Sequence, residues 1–348
     1  MEEKLTESWM DLKLKEALTS MMKISSKLLN IIKKSNSVLI AGHINPEGDS
    51  LGSSLALALG LKKLGKRVSV LSRDPVPETL RFLPSSRLVK HSPPKMKVDL
   101  LIIVDCNELS RTGLKDFNAN NIAVIDHHIL PSNASKQDFY KKLAAMHVDP
   151  DSAAAGVLVY KVLKGLNVPM DKSIATNLYT AILTDTGGFR YSNASAESLL
   201  IASHLVAAGA SPWSISKELY ENTPFKSMKL LGYALSTLER KNGIAWININ
   251  STMFQKTGTT AEDCEDFVDF PRKIRGTEVA VFFRQDKKNL FKLSLRSKGK
   301  VDVQKIAKSF GGGGHAAAAG CSVEGTFQEV QTKVFRAVRK AIKEGTKN

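Results

Sequence analysis

Three short apolar runs, each leading straight into His or carboxylate residues, constrain this chain more than any other feature. Ser37–Ala41 (SVLIA) runs into Gly42-His43-Ile44-Asn45-Pro46-Glu47-Gly48-Asp49. Leu100–Val104 (LLIIV) delivers Asp105, and Ile122–Ile125 (IAVI) delivers Asp126-His127-His128. Their length and branched composition predict buried strands, as does Arg67–Leu71 (RVSVL). An apolar helical pattern, Ser50–Leu64, separates the first two strands. Strands alternating with helices predict an α/β fold, with a parallel sheet covered by helices on both faces. Ligands in such sheets bind beyond the carboxyl ends of the strands, where these residues lie.

One acidic residue after a strand is usually a cap or a turn residue. Three strand ends bearing Asp, His or both are not explained by capping. One imidazole and two carboxylates within seven residues (His43, Glu47 and Asp49) can converge on a hard or borderline cation. Asp185, in Leu183-Thr184-Asp185-Thr186-Gly187-Gly188, adds a carboxylate before a Gly pair that permits close backbone approach.

The rest of the chain divides by texture. Residues 1–35 predict a helical extension, with Leu14, Leu18, Met21, Leu28 and Ile32 at helical spacing. Such a stripe fits docking on its own domain, with a homodimer-forming helix as the alternative. A catalytic domain is expected over 36–208, with helices over Ala153–Lys164, Ser173–Leu183 and Ala196–Ala208. Gly209-Ala210-Ser211-Pro212 opens a linker, 209–240, with helices at Trp213–Tyr220 and Lys226–Glu239. From 241 to 345 strands dominate (IAWINI, EVAVFFRQ, FKLSLRSK) before a last helix, Phe327–Lys343, so a smaller α/β domain is expected. No apolar run approaches the roughly 20 residues of a spanning helix, so no membrane partner is expected. The acidic start does not read as a secretory signal. Three scattered cysteines (Cys106, Cys264, Cys321) suit a reducing, cytoplasmic setting.

The formal net charge of +16 favours polyanionic partners. It is concentrated late in the chain: Arg284–Lys308 holds nine basic and two acidic residues. Within that domain, Gly311–Gly314 followed by His315 exposes backbone amides in a way that suits an anion nest. No Ser or Cys stands in a nucleophile elbow or triad pattern.

With these motifs in order, the sequence resembles the DHH phosphoesterase superfamily, named for the triplet Asp126-His127-His128. The stretch Gly311–His315, with the alanines and Gly320 after it, is similar to the signature of the companion DHHA1 domain. The resemblance runs from about Ser37 to Gly325 and is closest to the bacterial nanoRNase and pAp-phosphatase branch.

It implies two Mn²⁺-type ions, with Mg²⁺ or Co²⁺ as substitutes. His43, Glu47 and Asp105 hold one; Asp49, Asp105, His127 and Asp185 hold the other. Asp105 is the bridge, His128 faces the substrate phosphate, and Asp126 orients the imidazoles. Two such ions share a water, lower its pKa and set it in line with phosphorus. The resemblance also implies substrate contacts from Arg296, Gly313, Gly314 and His315 across a cleft from the metals, and Arg111 and Arg190 are candidate phosphate contacts in the first domain. Phe189 is either a base-stacking or a core residue.

The implied reaction is hydrolysis of short oligoribonucleotides to nucleoside 5′-monophosphates, and of pAp to AMP and phosphate. Alternatives are a cyclic-di-AMP or pApA phosphodiesterase, a RecJ-type exonuclease, a manganese pyrophosphatase and a non-catalytic RNA-binding protein. The sequence departs from the family pattern at Glu47, where Asp is usual. It departs again at Ser152–Gly156 (SAAAG), which lacks the acidic or Thr residue often found there.

Overall fold

The computed structural model describes residues 24–94, 96–114, 117–131, 133–314 and 316–345. The chain forms two compact units that divide between Asn222 and Thr223. Helix Pro212–Tyr220 therefore counts with the first unit and helix Phe225–Leu235 with the second.

The first unit begins, among the described residues, with α1 (Ser26–Lys34). Leu28 and Ile32 of α1 are fully buried in the core of this same unit, so this part of the extension docks on its own domain. Leu14, Leu18 and Met21 lie outside the described residues. The sheet contains β1 (Ser37–Ala41), β2 (Arg67–Leu71), β3 (Val89–Lys90), β4 (Val98–Val104), β5 (Ala119–Asp126) and β6 (Ala145–Val148). Its order is β3-β2-β1-β4-β5-β6, and every pairing is parallel. Edge strands β3 and β6, of two and four residues, are too short to stand out in a reading based on hydrophobicity.

The order contains a topological switch. From β1 the chain moves outward to β2 and β3, then crosses to the other side of β1 to form β4. Loops leaving β1 and β4 must diverge, which opens a crevice at their carboxyl ends. Ala41 pairs with Ile103, so His43 and Asp105 leave the sheet side by side.

Helices α2 (Gly48–Lys63), α3 (Ala155–Gly165), α4 (Lys172–Asp185) and α5 (Ala196–Ala207) follow, with α6 (Pro212–Tyr220) last. Helix α2 starts two residues earlier than its apolar pattern, so Asp49 lies in a first helical turn and not in a loop. It packs tightly on α4. A Cβ on Gly48 would meet Thr184 Oγ1 at 2.4 Å, and one on Gly52 would meet Asn177 O at 2.5 Å. Glycine at these contacts lets the start of α2 touch the end of α4, bringing Asp49 beside Asp185.

The second unit holds α7 (Phe225–Leu235), β7 (Glu239–Lys241), β8 (Ile244–Ile249), α8 (Ser251–Thr257), β9 (Val279–Lys287) and β10 (Leu290–Ser297). It ends with α9 (Val303–Ser309), β11 (Gly313–Gly314), β12 (Ala318–Glu324) and α10 (Phe327–Gly345). Glu239, expected to end a helix, begins edge strand β7, which pairs with β8. The sheet order is β11-β12-β10-β9-β8-β7, antiparallel except for β8 with β9. Trp246, Phe283 and Leu293 build the core on one face, while Leu230, Ile247 and Phe282 build a second core on the other. No single helix among the described residues is long and apolar enough to cross a membrane.

Candidate metal centre

Five segments converge beyond the sheet's carboxyl edge. The loop after β1 brings His43 and Glu47, and the first turn of α2 brings Asp49. The end of β4 brings Asp105, β5 ends on Asp126 and continues into His127 and His128, and α4 ends on Asp185. All six proposed ligands from the sequence gather here. The side chains form two groups whose ligating atoms lie within 4.8 Å of one another: His43–Glu47–Asp105 and Asp49–His127–Asp185. Asp105, His127 and His128 form a third, overlapping group.

Asp105 sits between the first two. His43 Nε2 is 3.4 Å from its Oδ2, and His127 Nε2 is 3.4 Å from its Oδ1. Both oxygens are buried, and neither has a hydrogen-bond partner of good geometry. A buried carboxylate that makes no well-formed hydrogen bond is costly unless a nearby positive charge compensates it. Two ligand atoms held at about 2.0–2.2 Å from one cation stand roughly 3–3.5 Å apart. The 3.4 Å spacings therefore suit a shared cation better than a hydrogen bond, and the residues fit a pair of divalent ions.

The imidazoles are oriented for that task. His43 Nδ1 lies 2.7 Å from Ile44 O, and His127 Nδ1 lies 3.3 Å from Ser152 O. A carbonyl only accepts, so each Nδ1 carries hydrogen and each Nε2 is presented to the carboxylates. Asp126 is fully buried and serves a different end. Its Oδ1 accepts from His127 N at 2.8 Å, His128 N at 3.2 Å and His128 Nδ1 at 2.7 Å. It belongs to none of the candidate ligand groups and fixes the histidine pair instead.

The carboxylates are held as firmly. Asp49 accepts from Ser53 Oγ at 2.8 Å and from the amides of Ala155 (2.6 Å) and Gly156 (2.9 Å). The SAAAG segment needs no acidic side chain for this, since its contribution is the buried backbone amides of Ala155 and Gly156 at the start of α3. Asn193 Nδ2 donates to Asp185 Oδ2 at 3.2 Å and to Ala153 O at 2.9 Å, tying the end of α4 to the start of α3. The loop before α2 is held by Asp74, whose Oδ2 accepts from Asn45 N at 2.7 Å. No motif in the sequence announces Ser53, Asp74 or Asn193: a serine one helical turn after an aspartate is ordinary, and the contacts of Asp74 with Asn45 and of Asn193 with Ala153 join segments 29 and 40 positions apart.

Backbone conformation at the site is unusual. Asp105 has φ +59°, a left-handed geometry that Asp and Asn tolerate better than other side chains. After Asp185 three successive residues are left-handed: Gly187, Gly188 and Phe189 at +57°, +72° and +60°. Phe189 is half-buried, its ring centroid 6.2 Å from that of Tyr179, so it packs on the core.

So many acids beside two imidazoles distort proton affinities. Burial draws the His43 imidazole down, but Asp105 and Glu47 outweigh it and lift the pKa to about 10. Burial likewise opposes, and Asp105, Asp49 and Asp185 overcome it, in lifting His127 to about 10. Burial, with Asp105 and Glu47 adding to it against His127, pushes Asp185 up to about 7. Burial and Asp105 raise Asp49 well above the ordinary range. Asp105 moves the other way and is depressed: burial opposes ionisation there, yet His127 and His43 stabilise the anion. Without a cation, protons compensate this cluster.

The expected substrate residues are less uniform. Arg111 and Arg190 are exposed, and Arg190 Nε bonds back to Gly187 O. Arg296 is half-buried, with Nε 3.8 Å from Asp269 Oδ1. The glycine run is not an open nest throughout. The amides of Gly311 and Gly312 bond to Lys308 O and Ala307 O, capping α9, because a left-handed Gly after a helix satisfies its last carbonyls. Gly313 and Gly314 are exposed and form an edge strand paired with Gly320 and Ala319. His315 lies outside the described residues.

Comparison with known proteins agrees with this arrangement. The DHH family, N-terminal domain, matches residues 37–183, and the DHHA1 domain matches residues 247–344. The chain is 33% identical to the bifunctional oligoribonuclease and PAP phosphatase NrnA of Thermus thermophilus, covering 92% of this chain and 94% of that one. It is 24% identical to the cyclic-di-AMP phosphodiesterase PdeA of Listeria monocytogenes, covering 90% of this chain and 49% of that one. Among solved structures, an exopolyphosphatase-related protein from Bacteroides fragilis superposes with a TM-score of 0.82 at 25% identity, covering 94% and 98% of the two chains. With both domains matched and a relative aligned over nearly its full length, the chain belongs to the DHH family, carries a DHHA1 domain as its second unit, and is a metal-dependent hydrolase.

Proposed function

We propose that the chain is a manganese-dependent phosphoesterase that hydrolyses short oligoribonucleotides to nucleoside 5′-monophosphates and pAp to AMP and phosphate. The observation that carries this reading is the buried Asp105, which belongs to the His43–Glu47 group through one carboxylate oxygen and sets its other oxygen 3.4 Å from His127 of the Asp49–His127–Asp185 group. The mixed carboxylate and imidazole set suits Mn²⁺, with Mg²⁺ or Co²⁺ as substitutes. When bound, two divalent ions activate water and neutralise charge on the phosphate.

The chain's own residues supply the rest. His43 and His127 present Nε2, and Asp105 spans both groups. His128, its Nδ1 held by Asp126, directs Nε2 toward a phosphate oxygen. Arg111 and Arg190 contact phosphates in the first unit; Arg296, Gly313, Gly314 and His315 read the nucleotide end in the second. The long, higher-identity match to NrnA supports short RNA and pAp over cyclic dinucleotides, the second reading, whose relative matches over half its length.

The test is a side-by-side assay of purified protein with Mn²⁺ on pAp, two- to five-residue RNA, pApA and cyclic-di-AMP. Turnover of pAp and short RNA is expected. Preference for cyclic-di-AMP would replace this reading with the second, and no turnover of any substrate would leave only a polyanion-binding protein.

A further inference from the structure

Helix α7 has one face that its own unit does not use. Ser227, Leu230, Leu231 and Ala234 are buried against the second core, as an amphipathic helix requires. The opposite face carries large apolar side chains where polar ones are usual. Phe225 is 75% exposed, Met228 52% and Tyr233 41%. Each ring has a lysine beside it: Lys229 Nζ is 4.9 Å from the Phe225 centroid, and Lys256 Nζ from α8 is 5.9 Å from that of Tyr233. Between the rings Gly232 contributes no side chain, and the space a Cβ would fill is open. Eight residues of helix separate the two rings along the axis by ~12 Å, and stacked nucleotides advance about 3.4 Å each.

We propose that this face of α7 is a track for single-stranded RNA, on which bases stack at Phe225 and Tyr233 while Lys229 and Lys256 meet phosphates. It rests on the oligoribonucleotide reading above and extends it to a binding surface outside the metal centre. Single-strand binding without sequence preference combines aromatic platforms with positive charge, and both are present here. An exposed cation–π contact is weaker than base–aromatic stacking, so a base displaces the lysine from the ring and its ammonium is then at hand for the phosphate. Charge argues against a second copy as the occupant. Residues 225–235 include two lysines and no acid, so self-pairing through this face sets like charges together. Lys226 is already paired with Asp263 at 3.1 Å and is not needed for the track.

The test uses the full chain and a 5′-fluorescein five-residue RNA, with EDTA present so that nothing turns over. Binding is followed by anisotropy for wild type, for Phe225→Leu/Tyr233→Leu and for Lys229→Ala. Leucine keeps apolar area and removes the stacking face. The double variant is expected to bind the RNA roughly ten-fold or more weakly, and Lys229→Ala to lower the salt dependence by about one counterion. Its Mn²⁺-dependent pAp hydrolysis and its sedimentation coefficient should match wild type. Unchanged RNA affinity, or no wild-type binding, overturns the track. Conversion of a dimer to a monomer by the double variant also overturns it, in favour of a second copy. RNA bound by the rings with no hydrolysis of any substrate leaves the track standing and removes the catalytic reading.

Discussion

Asp49 Oδ2 accepts a 2.6 Å hydrogen bond from the amide of Ala155, a residue more than a hundred positions later in the chain. The same carboxylate belongs to the Asp49–His127–Asp185 group. One side chain thus caps the start of α3 and contributes to the candidate metal centre, which couples the position of that helix to the site's charge.

Substitution of that residue should reveal both roles. Asp49→Ala leaves two buried amides without acceptors, and loss of a helix cap costs ~0.5–2 kcal/mol. Lower stability in urea together with loss of one Mn²⁺ site by calorimetric titration is expected. Loss of metal with unchanged stability in the metal-free protein would show that the cap contributes nothing.

Asp105→Asn separates ligand charge from backbone conformation. Asn tolerates the left-handed geometry at this position, so the fold should survive where Ala would add strain. Hydrolysis should be abolished, and calorimetry should register weaker binding of both ions. Normal two-ion stoichiometry and affinity in Asp105→Asn would defeat the assignment of Asp105 as the shared residue.

Asn193→Ala tests a residue that touches Asp185 but belongs to no ligand group. Loss of partners that orient a metal ligand typically costs about 10–100-fold in affinity. One of the two Mn²⁺ binding events should weaken by that order while circular dichroism stays unchanged. Glu47→Gln should weaken the other event instead, because Glu47 lies in the group with His43. Equal effects of both substitutions on both events would contradict two distinct sites.

The pH dependence follows from the raised histidines. His43 and His127, with pKa values near 10 against an ordinary 6.5, hold protons in the folded state that the unfolded chain releases. Their contribution to stability is complete below pH 6.5 and is lost as pH rises toward 10. Asp185, raised to about 7, acts in the same direction at lower pH. The melting temperature of the metal-stripped protein should therefore fall from pH 6.5 upward. Stabilisation by Mn²⁺ should grow over the same range, since the cation displaces these protons. A flat metal-free profile would show that the imidazoles are not charged in the folded state.

Much of this was legible in the residues themselves. Apolar runs ending on Asp and His declare buried strands and the functional edge of a parallel sheet, because strand burial and ligand position are local consequences of sequence pattern. His43, Asp105 and the triplet Asp126–His128 are readable for that reason. Asp49 was recognised, but on a loop; the close approach of Gly48 to Thr184 extends α2 over it and sets it beside Asp185.

Tertiary structure alone decided the partners. That SAAAG serves through its amides, that Asn193 holds Asp185, and that the amides of Gly311 and Gly312 cap a helix and do not face solvent all depend on groups far apart in sequence or on backbone angles. The sequence by itself determined which chemical groups are present and to which sheet edge they go. Their distances, tautomers and proton affinities arise from burial and from the field of neighbouring charges, which exist only once the chain has folded.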